Sequence, residues 1–529
     1  MKIPLLSYII WLPLLGAILT LFIPKKAKIT LTLFSLLITI TDFILSLYLW
    51  KKFSFKGGFQ FIEKREWIAS LGINYILGVD GISLFLVILT AFLMPIVILS
   101  SYTFIKERYK EYIFSFLILE TTILGTFLSL DLFLFFIFWE LVLVPMYIII
   151  GVWGGERRIY ATVKFFLYTM TGSIFLLLSI LYLGIEYHSL TDNYSFSYFE
   201  LKRMILPLRT QLLLFLGFSF AFAIKVPLVP FHTWLPPAHV EAPTGGSVIL
   251  AGVLLKMGAY GFIRYSFGLF PYIAYLLKEE LGGLAVASII LGGLFALRQN
   301  NIKRLVAYSS IAHLGFVILG IVAFETKAMV GGVYQMINHG ITISALFLLV
   351  GIIYERKHKL TVENFGGLAK PMPNYATLFF IAGLSAIGLP GLNNFVGEFL
   401  VLLGTFQSKI LNYGKLFVII TVLSLVISAV YILDIYMKIF FGKVKKRDKT
   451  LKDLTIREFC YMLPLISLII IMGIFPSLFL NSIRPSIEKF YTDFITTTKE
   501  IDRECKVRLE DGRKVIDYNL PLKKLRKKL

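Results

Sequence analysis

The segment Lys225-Val-Pro-Leu-Val-Pro-Phe-His232 interrupts an apolar run that extends over residues 208–229. Each proline removes a helix hydrogen bond and kinks the helix. A second segment, Gly388-Leu-Pro-Gly-Leu-Asn-Asn394, interrupts the apolar run over residues 375–408. In a membrane, the carbonyl groups that such breaks expose are tolerated only inside protein or beside water. Two interrupted helices, one in each half of the chain, indicate a transporter built from inverted repeats.

The composition agrees with a membrane protein. Of the 529 residues, 57% are hydrophobic and 16% are charged, and the mean hydropathy is +0.80. A spanning helix needs about 20 apolar residues, whereas barrel strands alternate in polarity and are about ten residues long. The chain has fourteen apolar runs that favour helices, near residues 3–23, 29–50, 82–103, 112–130, 132–152, 159–185, 208–229, 245–270, 280–297, 304–324, 328–354, 375–408, 415–442 and 458–480.

We therefore predict an all-α polytopic membrane protein with about 14 transmembrane helices. Counting outward from the two breaks gives two inverted five-helix repeats, each with one broken helix in fourth place. The predicted units are helices 1–3 in residues 1–104, helices 4–8 in residues 112–270, helices 9–13 in residues 278–442, and helix 14 with a basic C-terminal tail in residues 443–529. The repeat rests on the pattern of spans and breaks, because the two halves show no clear residue-level identity.

The net charge of +21 follows from 53 Lys and Arg against 32 Asp and Glu. Lys and Arg accumulate in cytoplasmic loops, so the surplus indicates topology and contact with a lipid bilayer rather than a nucleic-acid partner. With the N-terminus outside, basic groups at residues 25–28, 106–110 and 356–359 lie inside. The basic segment 51–65 and the basic tail do not follow this rule.

The sequence lacks the signatures of several other activities. Two cysteines exclude a disulfide framework and a self-contained four-cysteine iron–sulfur or zinc site. No GxxxxGK[ST] motif indicates ATP-driven transport, and no GxGxxG follows a strand. His232 and His239 are seven residues apart with two prolines between them, which is not a metal-ligand spacing. We interpret them as part of a loop with at most a gating role, and we predict no metal or cofactor site in the chain.

We single out six ionisable side chains within or beside the predicted spans, and each is a functional candidate because charge is costly in lipid. They are Glu140, Lys225, Lys256, His313, His339 and Glu398. Acidic, basic and near-neutral groups alternate in this set, which is the composition of a proton wire. Sequence spacing does not establish that they are close together. A structural Glu–Lys pair and histidines that serve only in packing remain alternatives.

Other charges have simpler interpretations. Lys164 and Arg264 lie near helix ends, where long basic side chains extend to the membrane surface. Asp434 and Lys438 are one helical turn apart and can pair with each other. Asp131 precedes a predicted helix, where an acidic side chain suits the helix dipole.

Specific motifs identify a resemblance that runs from about Leu77 to Gly442. The chain resembles the antiporter-like proton-channel subunits of respiratory complex I, the NADH:quinone oxidoreductase, and of the related Mrp cation/proton antiporters. The segments that carry the resemblance are Gly78-Val-Asp-Gly-Ile-Ser83, Phe138-Trp-Glu-Leu141, Lys225 to Pro236, Ala238-His-Val-Glu-Ala-Pro243, Lys303-Arg-Leu-Val-Ala-Tyr-Ser-Ser310, His313-Leu-Gly315 and Asn338-His339.

The resemblance implies a role for each candidate residue. It implies that Glu140 modulates the basicity of Lys225, and that Lys256 is the central relay. His313 and His339 would bridge from Lys256 to the acid in the second broken helix.

That acid is Glu398, which the resemblance implies exchanges protons with the outside. Sister subunits of the family tend to place lysine at this position. The largest sister subunit also has a long lateral helix, for which this chain has no corresponding segment.

The resemblance implies a subunit of a proton-translocating NADH:quinone oxidoreductase, a translocase whose redox chemistry lies elsewhere. FMN, iron–sulfur clusters and quinone are expected in partner subunits, and no cofactor is expected in this chain. The expected partners are other membrane-arm subunits, including sister antiporter-like subunits, in the inner (cytoplasmic) membrane of the cell. The alternatives are a subunit of an Mrp-type cation/proton antiporter, and a structural subunit whose charges only hold helices together.

Overall fold

The structure is a computed structural model that describes residues 4–504, except 205, 446 and 447, and the short segments 508–510 and 513–515. The start of the first predicted span and the rest of the predicted basic tail, including Cys505, lie outside the described residues. The α-helices in chain order are α1 Leu5–Thr20, α2 Lys28–Lys52, α3 Leu84–Phe104, α4 Tyr109–Leu128, α5 Leu132–Leu141, α6 Leu143–Trp153, α7 Arg158–Thr191, α8 Tyr198–Leu201, α9 Leu208–Lys225, α10 Leu235–Glu241, α11 Thr244–Ile249, α12 Leu255–Gly261, α13 Pro271–Leu276, α14 Lys278–Leu297, α15 Ile302–Val322, α16 Thr326–Lys357, α17 Pro373–Ile387, α18 Asn393–Gln407, α19 Gly414–Phe440, α20 Ile456–Ile474 and α21 Ser477–Glu504.

Within the described part of the chain, twelve helical segments are long and apolar enough to cross a membrane. Two of them are composite: α5 and α6 form the span Leu132–Trp153, and α11 and α12 alternate with π-helical turns in the span Thr244–Phe267. Two shorter apolar helices, α1 and α17, add to these. The helical membrane architecture is confirmed, while the count of fourteen crossings and the boundaries of the two repeats remain predictions.

Both predicted helix breaks are present. Helix α9 ends at Lys225, and the chain turns before α10 begins at Leu235. Helix α17 ends at Ile387, and α18 begins at Asn393. Gly388 allows the second break because its φ of +81° is a left-handed conformation that glycine adopts without strain. The prolines that the sequence placed in these segments therefore end helices inside the predicted spans.

A β-hairpin departs from the all-α prediction. Strands β1 Gln60–Ile68 and β2 Ile73–Val79 pair antiparallel between α2 and α3. The Glu63 carboxylate of β1 accepts hydrogen bonds from the Leu6 and Ser7 backbone N–H groups at 2.8 and 3.2 Å. Because the first N–H groups of a helix have no partner within it, this acid caps α1. The hairpin and the start of α1 therefore lie on the same face of the molecule.

Helix α21 was also not predicted. The predicted last span, 458–480, ends at Ile474 in α20, and a separate helix of 28 residues follows it. The Gly81 backbone N–H, just after β2, donates to the Ser486 hydroxyl at 2.8 Å, and the Phe324 and Phe494 rings stack with centroids 4.2 Å apart. Helix α21 therefore lies on the same face as the hairpin and the start of α1. Because the start of α1 and the end of α20 lie on one face, the chain crosses the membrane an even number of times from α1 to α20, with both helices counted.

The prediction that Arg264 extends to the membrane surface is wrong. Its side chain is 3% exposed, and its Nη2 atom lies 2.6 Å from Oδ2 of Asp80. Asp80 is brought there by the connection from β2 to α3, and the opposite charge makes burial of the guanidinium tolerable. The pair joins the hairpin end to the π-helical turn Phe262–Phe267.

Two local predictions are confirmed. The Asp131 carboxylate accepts hydrogen bonds from the Phe133 and Leu134 N–H groups and caps α5. Lys438 Nζ lies 2.7 Å from Asp434 Oδ2, and both side chains are exposed.

Removing one charge of the Asp80–Arg264 pair should destabilise the protein. Asp80→Asn and Arg264→Met each leave an uncompensated buried charge, which costs about 3–5 kcal/mol. We expect each single variant to melt at a lower temperature than the parent in thermal unfolding of the purified protein, and the double variant to regain most of the loss.

Lys438→Met is the matched control, because the Asp434–Lys438 side chains are 51% and 59% exposed and such a pair contributes at most about 1 kcal/mol. Melting of both single variants at the parent temperature would contradict the structural role of the Asp80–Arg264 pair.

Candidate functional site

Four of the six predicted residues form a continuous line of contacts that runs from the first predicted repeat into the second. Lys256 Nζ lies 2.8 Å from His339 Nδ1. The His339 and His313 rings have centroids 5.6 Å apart, and His313 Nδ1 lies 3.0 Å from Glu398 Oε1. All four residues are at most 4% exposed. The structure therefore joins base, imidazole, imidazole and acid in the order that the sequence analysis hypothesised.

Lys256 is positioned by an irregular turn of its own helix. The π-helical turn Leu250–Leu254 precedes it, and its ammonium donates a hydrogen bond to the Ala251 carbonyl oxygen. A π-helical turn widens the helix and changes which backbone carbonyl groups are available, and such turns are frequent at functional sites. The turn leaves Lys256 fully buried yet hydrogen-bonded on two sides.

Glu398 is positioned by the second helix break. Gln335 Nε2 donates to Glu398 Oε1 at 3.1 Å, on the same oxygen that faces His313. Asn338 and Asn393 hold the break against α16, because each side-chain amide donates to the other residue's carbonyl oxygen, at 2.9 and 3.1 Å. The start of α18 is therefore fixed relative to the helix that carries His339.

Glu140 and Lys225 are neighbours without a direct ion pair. Lys225 is 2% exposed, and its Nζ lies 4.9 Å from the centre of the Trp139 ring. Within the described residues, this nitrogen has no hydrogen-bond partner, although Glu140 is close enough to act on it electrostatically. Glu140 itself lies beside the Ser173 hydroxyl. The two side chains therefore interact electrostatically without forming a direct ion pair.

A close helix crossing brings Lys225 and Lys256 into neighbouring helices. At Gly258, a Cβ atom would lie 2.8 Å from the Phe222 carbonyl oxygen and 2.9 Å from the Val226 nitrogen. Both are backbone atoms, so only glycine permits this approach of α12 to the end of α9. The first pair of predicted residues is thus held beside the four-residue line without touching it.

His239 is a buried residue that the sequence analysis placed in a loop. It belongs to the short helix α10 rather than to a loop, and it is fully buried with its ring stacked on Phe347 at 4.7 Å. Within the described chain, neither ring nitrogen has a hydrogen-bond partner. Lys256 and Lys303 both lie within electrostatic range of the ring. Its place in the motif Ala238-His-Val-Glu-Ala-Pro243 was a signal that could have identified it.

Lys303, which begins the motif Lys303–Ser310, is 9% exposed. Its Nζ donates to the carbonyl oxygens of Val240 and Ala242 at 3.2 and 2.5 Å, and so it caps the end of α10. In the part of the chain that the structure describes, no group of three or more His, Cys, Asp or Glu side chains could hold a metal ion. The site is therefore a set of titratable groups linked by hydrogen bonds and electrostatics.

Comparisons with known proteins identify the family to which the chain belongs. A family model described as "NADH:quinone oxidoreductase/Mrp antiporter, TM" matches residues 129–428, and one described as "NADH-ubiquinone oxidoreductase chain 4, amino terminus" matches residues 7–130. NADH-quinone oxidoreductase subunit M of Rickettsia felis is 42% identical over 501 residues, covering 93% of this chain and 100% of that protein. NADH-ubiquinone oxidoreductase chain 4 of Arabidopsis thaliana is 41% identical over 485 residues, covering 91% and 96%.

Solved structures share the fold. A chain of respiratory complex I from Thermus thermophilus with bound NADH has a TM-score of 0.83 and 30% identity, covering 92% of this chain and 99% of that chain. A chain of the Mrp complex from a Dietzia species has a TM-score of 0.80, with coverage of 94% and 99%, and at 17% identity it shows likeness of fold alone. The chain therefore belongs to the family of membrane subunits shared by NADH:quinone oxidoreductases and Mrp antiporters.

Proposed function

We propose that this chain is the proton-translocating subunit M of an NADH:quinone oxidoreductase in the inner (cytoplasmic) membrane of the cell. The observation that carries the proposal is the buried line Lys256–His339–His313–Glu398, in which two of the three steps are contacts of 2.8 and 3.0 Å. FMN, iron–sulfur clusters and quinone would be bound by partner subunits, and electron transfer there would drive proton movement here.

The contacts allow a proton to pass between named atoms. A proton on Lys256 Nζ can transfer to His339 Nδ1, since the two nitrogens are within hydrogen-bonding reach. An imidazole accepts a proton on one ring nitrogen and releases one from the other. The Nε2 atoms of both histidines lack hydrogen-bond partners within the described residues, so both remain available for the step between the rings. His313 Nδ1 then delivers a proton to Glu398 Oε1.

Glu140 and Lys225 would act on this line through charge. Electrostatic interactions are strong where water is excluded, so movement of charge at Lys225 changes the affinity of Lys256 for a proton. Because Glu140 and Lys225 do not touch, a small displacement can strengthen or weaken their interaction. This pair would link events elsewhere in the membrane arm to the proton on Lys256.

Glu398 adjoins a small cavity. The cavity has a volume of about 10 Å³, room for about one water molecule, and its lining includes Ser424, Ser428 and Tyr431 beside Glu398 and His313. Exchange of this proton with the outside remains a prediction from the family resemblance.

A subunit of an Mrp-type cation/proton antiporter is the alternative function. The 42% identity to subunit M of an oxidoreductase, against 17% to the Mrp chain of similar fold, favours the oxidoreductase. Purifying the native assembly and identifying its subunits distinguishes the two. Flavin and iron–sulfur subunits in the assembly support the proposal, whereas an assembly of small membrane subunits without them contradicts it.

Glu140→Ala and Lys225→Ala should abolish coupled proton transport while the complex still assembles. Each removes one charge of the pair that acts on Lys256, and so changes the proton affinity on which transfer along the line depends. The measurement is NADH-driven acidification of proteoliposomes that contain the purified complex.

Lys164→Ala serves as the control, because Lys164 is a partly exposed basic residue outside the line. Parent-like proton transport in an assembled Glu140→Ala complex would remove Glu140 from the mechanism.

Substitutions of Glu398 separate acid chemistry from hydrogen bonding. Glu398→Gln keeps the size and hydrogen-bonding capacity of the side chain but cannot carry the proton, so we expect proton transport to fall to background. Glu398→Asp keeps the acid at a longer distance from His313 and should retain part of the activity. Equal activities of the two variants in the same proteoliposome assay would show that the proton does not pass through Glu398.

A further inference from the structure

Two acidic residues of the N-terminal helices lie outside the proposed pathway. Asp42 is at the middle of α2 and Glu120 is in α4, and both side chains are 0% exposed. No N–H or O–H group of the described residues reaches the oxygens of either carboxyl group. The two carboxyl groups lie next to each other, close enough to interact directly.

This contact has a direct chemical consequence. Ionised carboxylates only accept hydrogen bonds, and two of them at close range repel each other in a medium of low dielectric constant. Two buried carboxyl groups this close, with no donor group beside them, are accommodated by a proton on one of them, as in other pairs of carboxyl groups that share one proton. The geometry of Asp42 and Glu120 therefore fits one proton held by the pair.

No cation nearby substitutes for that proton. Helices α1 and α3, which pack against α2 and α4, contain no Asp, Glu, Lys, Arg or His, and their only titratable side chains are Tyr8 and Tyr102. The other charged residues of α2 and α4 lie at the ends of these helices: Lys28, Lys51, Lys52, Lys110 and Glu111. Titratable groups on the remaining elements that pack against α4 are Glu140, Lys256, Tyr75, Tyr147 and Tyr260, and no described donor among them bonds to the pair.

One face of α2 carries a row of buried hydroxyl groups that leads from Asp42 towards Lys28. Thr39, Ser35 and Thr32 follow at steps of three and four residues, which is one helix face, and all are buried. With a rise of about 1.5 Å per residue, each step is about 5 Å. The Thr32 hydroxyl lies 2.9 Å from the Tyr109 hydroxyl, and Lys28 marks the membrane surface just beyond.

The opposite direction along α2 is less polar. Ser46 is the last hydroxyl group on this face, and Leu49 follows it. Beyond them, the Trp50 and Phe85 rings pack with centroids 5.1 Å apart. The row of hydroxyl groups therefore connects the carboxyl pair with one membrane surface, the one at which α2 begins.

The hydroxyl groups have a structural role as well. Ser35 and Thr39 donate to carbonyl oxygens one turn back in their own helix, at 2.6 and 2.9 Å. Such bonds satisfy a hydroxyl in a membrane helix without any proton transfer. They do not account for the two carboxyl groups, whose burial without any donor is the costly feature.

We propose that Asp42 and Glu120 form a proton-binding site that holds one proton between two carboxyl groups and exchanges it with the membrane surface at which α2 begins. This site is separate from the line that ends at Glu398. Its test does not depend on whether the chain pumps protons.

The test is reaction of the native complex with dicyclohexylcarbodiimide at a series of pH values, followed by mass spectrometry of its peptides. This apolar reagent modifies protonated carboxyl groups. We expect one adduct per pair, on Asp42 or Glu120, and a yield that falls as the pH rises. Glu66, an exposed acid of β1, is the internal control and should stay unmodified. Absence of an adduct on both residues at every pH would overturn the proposal.

Two further arms separate a shared proton from other arrangements. In Asp42→Asn, the amide can donate to Glu120 and replace the proton, so modification of Glu120 should fall about ten-fold or more. Glu120→Gln should have the same effect on Asp42. Unchanged modification of the remaining acid would show that the proton is not shared.

Suppression of the adduct by sodium at constant pH would show that the pair binds a metal cation instead. The pH series and the sodium arm use the unsubstituted complex, so the proposal stays testable if a variant fails to assemble.

Discussion

The free-energy cost of an ionised side chain in lipid governs both the fold and the site of this protein. A buried charge must find an opposite charge, accept or donate hydrogen bonds, or change its protonation state. Arg264 takes the first solution with Asp80. The line of Lys256, His339, His313 and Glu398 combines hydrogen bonding with a change of protonation state. Each hydrogen bond in this line joins groups that can exchange a proton. The same constraint therefore yields stability at one position and proton transfer at another.

Irregular backbone supplies the geometry that this chemistry needs. The break after Lys225, the π-helical turn before Lys256 and the break before Glu398 place the three residues where the backbone departs from a regular α-helix. Such departures are tolerated in a membrane where protein or water surrounds them. The π-helical turn is fully buried, whereas Leu389, Pro390 and Gly391 of the second break are exposed. The regular helices in between, α15 and α16, bring His313 and His339 to the centre of the line.

The sequence predicted the elements whose signals are local. Prolines and glycines identified both helix breaks, and isolated charges in apolar runs identified the six site residues. Contacts between distant segments were not predictable in this way: Arg264 was assigned to the membrane surface because Asp80, 184 positions away, gave no local sign of pairing with it. The hairpin was overlooked because its strands are short and partly polar, and α21 because its amphipathic pattern lacks a long apolar run. Asp42 and Glu120 did have the local signal of a charge in an apolar run, and applying the rule to every span would have found them.

The central claim is that protons pass along Lys256, His339, His313 and Glu398, and replacing His339 tests it most directly. His339 connects the base to the rest of the line, and leucine in its place fills the same buried space without a titratable group. The measurement is the number of protons translocated per NADH oxidised by the assembled complex in proteoliposomes, with His232→Leu as control because His232 stacks on Phe295 outside the line. The account predicts a lower ratio for His339→Leu and an unchanged ratio for His232→Leu. A parent-like ratio in an assembled His339→Leu complex would contradict it.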